Sequence, residues 1–176
     1  CGKDTPETSQ AAEAEPQVAT KPTPDPVSPA DEKLIADPIV EQAIREELEK
    51  PEGELTEADL EKVTGLFLGD TNITDAGLKD VAKLQNLKEL GLWATKITDA
   101  GLKEVAKLQK LKELGLEDTQ ITDAGLKDMA KLQKFTTLHL GETQITDACL
   151  KDVAKLQNLK ELGLGDTQIT DEGFKE

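Results

Sequence analysis

The chain has 176 residues, a formal net charge of −15 and an aromatic content of only 2%. Binding to phosphates needs clustered lysine and arginine side chains, and the absence of a basic stripe argues against nucleic acid as a partner. The sequence also contains no run of about 18 apolar residues, so it predicts no transmembrane helix.

The first 36 residues are rich in proline, threonine and glutamate, and they hold few large apolar side chains. Such a segment cannot offset its ordering entropy by burial, so we predict an extended, disordered spacer over residues 1–36. Cys1, followed by Gly2, resembles the mature end of a bacterial lipoprotein, in which the thiol carries a diacylglycerol. The resemblance implies lipidation of Cys1 and attachment to a membrane. The alternative is an arbitrary fragment boundary.

Residues 37–65 are predicted to form an N-terminal cap. Asp37 followed by Pro38 is typical of a helix start, with the aspartate as N-cap and proline at the first helical position. Pro51 ends this helix, and Thr56 with Asp59 forms a capping box for a second, short helix. Such a cap is needed because the open end of a repeat array exposes its core leucines.

The remainder of the chain, residues 66–176, repeats every 24 residues, and the last block is incomplete. The second block reads LGLWATKITDAGLKEVAKLQKLKE. Its strand is predicted to bury Leu90 and Leu92 and to expose Gly91 and Trp93, and Asp99 is predicted to cap the helix that follows. One block buries too little apolar surface to fold alone, so the blocks must stack as a solenoid. They begin at Leu66, Leu90, Leu114, Leu138 and Leu162.

The pattern LxxLxLxxTxI from Leu87 to Ile97, followed by TDAGLKEVAKL, resembles the leucine-rich repeat family. The second half is most similar to the cysteine-containing class of these repeats known from F-box proteins. The segment DPIVEQAIREELEKPEGELTEADLEKVTGL is similar to the N-terminal cap of internalin-type proteins. The resemblance implies an α/β fold: a right-handed solenoid with a parallel sheet on its concave face, short helices on its convex face and a helical cap. The chain departs from the family in its shorter period and in threonine at the usual asparagine or cysteine position.

The exposed strand positions of the concave face are the predicted binding surface. Phe67 and Trp93 fall on adjacent strands and are predicted to form an apolar patch, with Glu117 and His139 further along. Rare bulky side chains on a glycine-rich floor indicate binding anchors, because aromatic residues often dominate interface energies. The alternative is unconstrained drift of the repeat.

A neighbouring column of the same face is acidic. Asp118, Glu142 and Asp166 lie on consecutive strands in the prediction, where they would attract lysine or arginine of a partner or weakly hold Ca²⁺. Solvated charge is the competing explanation. We predict no metal site and no cofactor.

Two further positions depart from the repeat. Cys149 replaces a glycine of the other blocks, and we predict a structural thiol, with a disulfide to Cys1 as an alternative should Cys1 be free. Phe174 occupies the column of Leu78, so it is predicted to begin the packing of a fifth helix, either frayed or covered by a partner.

The predicted protein is a non-catalytic, lipid-anchored scaffold of a bacterial cell envelope, facing the periplasm or the exterior, which binds an unidentified protein through its concave face. An enzyme is disfavoured because the single histidine and the cysteines form no recognisable catalytic constellation. Two alternatives remain: a surface spacer without a dedicated ligand, and a substrate-recognition module similar to ubiquitin-ligase leucine-rich repeat proteins. The absence of an F-box-like region before residue 66 speaks against the second.

Overall fold

The computed structural model describes residues 33–175, so the predictions for Cys1 and for residues 1–32 of the spacer lie outside the described residues. Helices α1 (Pro38–Glu47) and α2 (Glu57–Leu60) come first. The strands then follow as β1 (Gly65–Phe67), β2 (Glu89–Gly91), β3 (Glu113–Gly115), β4 (Thr137–His139) and β5 (Glu161–Gly163). The helices between strands are α3 (Leu78–Val81), α4 (Asp99–Val105), α5 (Asp123–Met129) and α6 (Leu150–Val153), and short 3₁₀ segments cover Asp147–Cys149 and Gly173–Lys175.

The five strands form one parallel sheet in sequence order, β1-β2-β3-β4-β5. Each strand pairs with the equivalent residues of the next repeat, as Leu66 with Leu90 and Leu90 with Leu114. The register therefore equals the sequence period, and the alternation of side chains is the same in every strand. This arrangement is the α/β leucine-rich repeat solenoid that the sequence predicted.

The repeats share a single hydrophobic core. Leu90, Leu92 and Ile97 of the second repeat are buried, as are the equivalent residues of its neighbours on both sides. Phe135 takes a leucine position and is also fully buried. Burial of one such side chain contributes about 1.5–3 kcal/mol, so each repeat depends on its neighbours to exclude water from these residues.

Hydrogen bonds from each repeat to the next form what we call the Asp–Thr ladder. Asp99 Oδ1 accepts from the backbone N–H of Thr122 at 2.9 Å, and Asp99 Oδ2 accepts from its hydroxyl at 2.6 Å. Both bonds involve a carboxylate, which makes them stronger than bonds between neutral groups. The same pair of bonds recurs from Asp75 to Thr98, from Asp123 to Thr146 and from Asp147 to Thr170.

The ladder corrects the predicted role of Asp99. The N-cap of α4 is Thr98, whose hydroxyl accepts from the backbone N–H of Ala100, and Asp99 is the first helical residue. Asp99 is instead committed to the next repeat. Because Thr98 also donates to Asp75, one hydroxyl both caps its own helix and holds the preceding repeat.

Glycine in the TDAGL segment leaves room for the ladder. A Cβ on Gly101 would stand 2.4 Å from Asp75 Oδ1, and a Cβ on Gly125 would stand 2.5 Å from Asp99 Oδ1. These approaches are too close for any side chain unless the carboxylate moves. The fourth repeat carries Cys149 here, and its helical segment begins as a 3₁₀ turn rather than as an α-helix.

Thr95, Thr119 and Thr143, which we call the threonine column, stand where the family usually has asparagine or cysteine. Each makes a hydrogen bond inside the turn that follows its strand. Thr95 Oγ1 donates to the carbonyl of Leu92 at 2.6 Å, and Thr119 and Thr143 make the same bond to the carbonyls three residues before them. All three threonines are buried. The hydroxyls thus satisfy carbonyl groups where the chain leaves the sheet.

The N-terminal cap is fastened to the first repeat by Asp80. Its Oδ2 accepts from the backbone N–H groups of Ala36 and Asp37 at 2.8 and 2.7 Å, and Lys83 contacts its Oδ1. Burial alone would raise the pKa of Asp80, but the bonds from Lys83 and the two N–H groups outweigh it and lower the pKa. Ile35 is buried in the core, so packing begins before the boundary predicted at residue 37.

The predicted start signals of both cap helices are confirmed. Asp37 accepts from the N–H groups of Ile39 and Val40, and Pro38 begins α1. Thr56 and Asp59 form the capping box of α2. Asp59 also contacts Lys50, and this bond together with those from Thr56 and Lys62 lowers its pKa well below the usual value.

The far end of the solenoid is less well packed. Leu162, Leu164 and Ile169 are only partly buried, whereas their equivalents in the inner repeats are fully buried. Phe174 is 63% exposed, contrary to the prediction that it packs in the Leu78 column. It lies beside Leu150, Val153 and Leu162 at an apolar surface that no further repeat covers within the described residues.

Loss of one ladder hydroxyl should measurably weaken the array. We expect Thr122→Val to lower the free energy of unfolding by about 2 kcal/mol, because it removes a charge-assisted bond to Asp99 and a helix cap. Thr74→Val is the matched control. Each ladder aspartate lies 23 positions before its threonine, but the residue 23 positions before Thr74 is Pro51, which has no carboxylate to accept the bond. Urea denaturation of both variants measures the difference. Equal losses would show that the ladder adds nothing.

Removal of the Asp80 carboxylate should loosen the cap in a pH-dependent way. We expect Asp80→Asn to cost about 2 kcal/mol at pH 7, because two partly buried N–H groups lose an ionised acceptor. The folded pKa of Asp80 lies below its usual 3.8, so its contribution is complete above pH 3.8. The contribution disappears as the pH falls through the folded pKa, and the two stability curves should converge there.

The matched control for Asp80→Asn is Asp171→Asn, which removes the same charge from an exposed position near the far end. Its stability should stay close to that of the parent chain at neutral pH. A constant difference between Asp80→Asn and the parent across the acid range would contradict the assigned role of the carboxylate.

Candidate functional site

The sheet face directed away from the buried leucines carries the predicted binding residues. We call it the open face and define it in each repeat by the first and last strand residues and by the residue two positions after the strand. Its first column is Gly65, Glu89, Glu113, Thr137 and Glu161; its second is Phe67, Gly91, Gly115, His139 and Gly163; its third is Gly69, Trp93, Glu117, Gly141 and Gly165.

Phe67 and Trp93 contact one another on adjacent repeats. Their ring centroids lie 6.1 Å apart with the planes tilted by 46°, within the range of favourable aromatic pairs. Phe67 is 58% exposed and Trp93 36% exposed. The two residues are therefore adjacent, as predicted. The two rings together present a contiguous apolar surface to solvent.

Trp93 lies flat on a floor of glycine. A Cβ on Gly69 would stand 2.0 Å from Trp93 Cε2, and a Cβ on Gly91 would stand 2.0 Å from Trp93 Cζ3. Gly91 is therefore buried beneath the ring, although strand alternation predicted that it would be exposed. One face of the indole rests on backbone, and the other is turned away from the sheet.

Glu117 borders the indole on the next repeat. A Cβ on Gly115 would stand 3.0 Å from Glu117 Oε2 and 3.6 Å from Trp93 Cε3, so both side chains overhang the same glycine. Glu117 Oε2 is shielded from solvent, and it has no hydrogen-bond donor among the described residues. A carboxylate oxygen withdrawn from water without a donor is energetically unfavourable, which makes it a strong potential acceptor.

His139 completes the row that the sequence predicted. Its Nδ1 lies over Gly163, and its Nε2 is 4.0 Å from Glu161 Oε1. An ion pair with Glu161 forms only when the imidazole is protonated. His139 lines the same shallow depression as Phe67, Trp93 and Glu117.

The depression also contains Glu89, Glu113 and Thr137, which the sequence analysis did not select. These residues begin their strands, two positions before the glycine column. Alternation along a strand places residues at i and i+2 on one face, so the signal was available in the sequence. A charged residue at the start of a strand is ordinarily solvated, so charge alone did not distinguish Glu89 and Glu113 from other surface carboxylates.

The acidic column lies elsewhere and has a backbone explanation. Asp118, Glu142 and Asp166 all adopt positive φ, between 51° and 55°, in the left-handed region that aspartate tolerates better than most residues. They line a separate groove with the threonine column, Gln120 and Gln144. Within residues 33–175, no three acidic, histidine or cysteine side chains are placed to hold a metal ion.

Cys149 is fully buried. Burial, with smaller contributions from the nearby Asp123, Asp147 and Asp152, raises the pKa of its thiol to about 11. A thiol with such a pKa is almost entirely protonated at neutral pH and is a poor nucleophile. These properties agree with the predicted structural thiol, while the alternative disulfide to Cys1 involves a residue outside the described part.

A parallel sheet with a 24-residue register, repeated leucine columns and a capped first repeat defines a leucine-rich repeat protein. The family model described as leucine-rich repeat matches residues 107–130 and 155–175. The chain therefore has the leucine-rich repeat fold and is similar to that family over these two segments. In the described residues, no helix is long and apolar enough to cross a membrane.

Two solved structures of internalins from Listeria monocytogenes resemble the chain. Internalin inlF is 30% identical with a TM-score of 0.57, and the match covers 65% of this chain and 32% of that one. The chain thus matches about a third of that internalin. Internalin C2 is 24% identical with a TM-score of 0.37, over 78% of this chain and 88% of that one. A comparison with curated proteins gives no significant match.

The packing of the Trp93 ring on glycine can be tested by adding a side chain beneath it. We expect Gly91→Ala to lift the indole off the sheet, because the new Cβ would stand 2.0 Å from Cζ3. Trp93 is the only tryptophan in the chain, so its fluorescence should shift to the red and quench more readily with iodide. Gly165→Ala is the control, since nothing lies within 4 Å of a Cβ there. Unchanged quenching in Gly91→Ala would refute the seating.

Proposed function

We propose that this protein is a non-catalytic scaffold that binds a protein partner through the open face, anchored by Phe67 and Trp93. The exposed aromatic pair on a glycine floor is the observation that carries the proposal. Aromatic residues are enriched among the side chains that dominate binding energies, and a rigid pair loses little entropy on association. The solenoid class to which the chain belongs supports the same role.

The chemistry of the described residues does not favour an enzyme. Glu161 lies at the outer limit of an ion pair with His139, and Cys149 is buried with a raised pKa. Neither group is paired as a nucleophile with its base. A shallow face with one histidine is better suited to contact than to catalysis.

The finer part of the proposal concerns location. We infer a bacterial cell-envelope protein, held by a lipid on Cys1 and facing the periplasm or the exterior. The similarity to bacterial internalins supports the envelope, and the proline-rich sequence before residue 37 suits a spacer between lipid and solenoid. Mass spectrometry of the native protein tests it: acyl chains on Cys1 support the anchor, and an unmodified thiol contradicts it.

Asp118, Glu142 and Asp166 remain a proposed secondary contact for basic groups of the partner. Their groove is open and carries Lys96 as its only cationic lining residue among the described residues. Because positive φ already accounts for aspartate in this column, we assign the main binding energy to the aromatic pair.

The test of binding uses a matched pair of surface variants. We expect Phe67→Ala with Trp93→Ala to abolish capture of a specific envelope protein by the immobilised full chain, since loss of two anchors costs more than about 2 kcal/mol. Phe174→Ala removes another exposed phenylalanine, at the far end, and should leave capture unchanged. If the parent chain, the double variant and Phe174→Ala retain a protein equally, the open face is not the binding surface. A chain that captures nothing specific would support a simple spacer.

A further inference from the structure

We propose that the depression around Trp93 receives an arginine side chain of the protein partner, with the guanidinium stacked on the free face of the indole and hydrogen-bonded to Glu117. This inference rests on the proposed function and names the group that the open face recognises. It follows from the charge of the face, the exposure of the indole and the state of the Glu117 carboxylate.

The charged side chains of the open face are negative, apart from His139 when its imidazole is protonated. The fifteen positions of this face carry the four carboxylates of Glu89, Glu113, Glu117 and Glu161 and not one lysine or arginine, in a chain with 21 such residues. Glu89, Glu113 and Glu117 all line the same depression as the aromatic pair. Carboxylates around an aromatic surface favour a ligand that is both cationic and able to lie flat, since each part is electrostatically complementary to it.

Trp93 offers the platform for such a ligand. One face is occupied by Gly69 and Gly91, which fixes the ring in place, and Phe67 approaches with its plane tilted by 46°. Trp93 is nevertheless 36% exposed, so part of the ring is open to solvent. Tryptophan is the most favourable aromatic residue for cation–π contacts, and arginine is the cation found there most often.

Glu117 supplies the directional contact. Its Oε2 lacks a donor among the described residues, and it stands next to the edge of the indole above Gly115. A guanidinium on the indole can extend an N–H toward this oxygen and satisfy it. A lysine ammonium, being a strongly hydrated point charge, gains less from a planar platform beside a carboxylate.

His139 does not provide this cation within the protein. Its ring lies over Gly163, and Glu161 is its nearest carboxylate, 4.0 Å away. The aromatic platform and Glu117 on the first three repeats thus stay free for a group supplied from outside.

The inference is tested with three short peptides, identical except for one central residue: arginine, lysine or the neutral isostere citrulline. Each is titrated into the full chain at constant ionic strength. The reporter is the indole N–H signal of Trp93 in a ¹⁵N–¹H spectrum, which is unambiguous because the chain has one tryptophan. We expect the arginine peptide to shift this signal saturably, the lysine peptide to bind more weakly and the citrulline peptide to have no effect.

Two variants separate the site from general attraction to an acidic protein. Glu117→Gln keeps the shape and should weaken arginine binding about tenfold, the loss expected for one charge-assisted bond. Glu172→Gln removes one exposed charge at the far end and should leave the affinity unchanged. Circular dichroism confirms that both variants remain folded, and Glu113→Gln, at the rim of the depression, should show a smaller loss than Glu117→Gln.

Binding of the citrulline or lysine peptide as tight as that of arginine would overturn the inference, as would equal losses in Glu117→Gln and Glu172→Gln. The proposed function is judged separately by capture of the partner. If capture depends on Phe67 and Trp93 while the three peptides bind equally, the proposed function is supported and the arginine site is contradicted.

Discussion

The bonds between consecutive repeats join the repeats into one folded unit. A block of 24 residues cannot offset its ordering entropy alone, so the structure depends on contacts that no repeat makes by itself. The shared leucine core supplies most of the burial, but a hydrophobic core alone leaves the register loosely determined. The Asp–Thr ladder adds direction, because each aspartate reaches the backbone and the hydroxyl of one particular threonine in the following repeat.

The ladder also links local and long-range order. Thr98 caps its own helix and donates to Asp75, so the start of a helix and its position against the previous repeat are set by one residue. The glycine of TDAGL lies against the same aspartate, since a Cβ at Gly101 or Gly125 would stand 2.4 or 2.5 Å from a carboxylate oxygen. Cys149 takes this position in the fourth repeat, where the bonds from Thr146 to Asp123 are kept. The TDAGL motif resembles an ordinary helix start, but most of its contacts hold one repeat against the next.

Local rules predicted the architecture well. Alternation placed Leu90 and Leu92 in the core, and capping rules placed the starts of α1 and α2 at Asp37 and Thr56. The same rules misassigned Asp99, because its partner lies 23 residues further along, beyond the reach of any local pattern.

The site was predicted in part, for a related reason. Phe67, Trp93, Glu117 and His139 do line one depression, since the sheet register follows the sequence period. Gly91 was expected to be exposed because alternation describes the backbone and cannot show a ring folded back over it. Glu89 and Glu113 escaped notice because carboxylates at strand starts are common and usually serve only solubility.

The location of the aromatic pair within the array strengthens the case for binding. Phe67 and Trp93 belong to the first two repeats, where α1 packs against β1 and Asp80 fastens the cap. The other end of the sheet is looser, with Leu162 and Leu164 partly exposed. We expect a surface built on the better-packed end to lose less conformational entropy when a partner docks, so that the same contacts give more affinity there. The open face takes no part in the core or the ladder, and its side chains are therefore free to serve recognition.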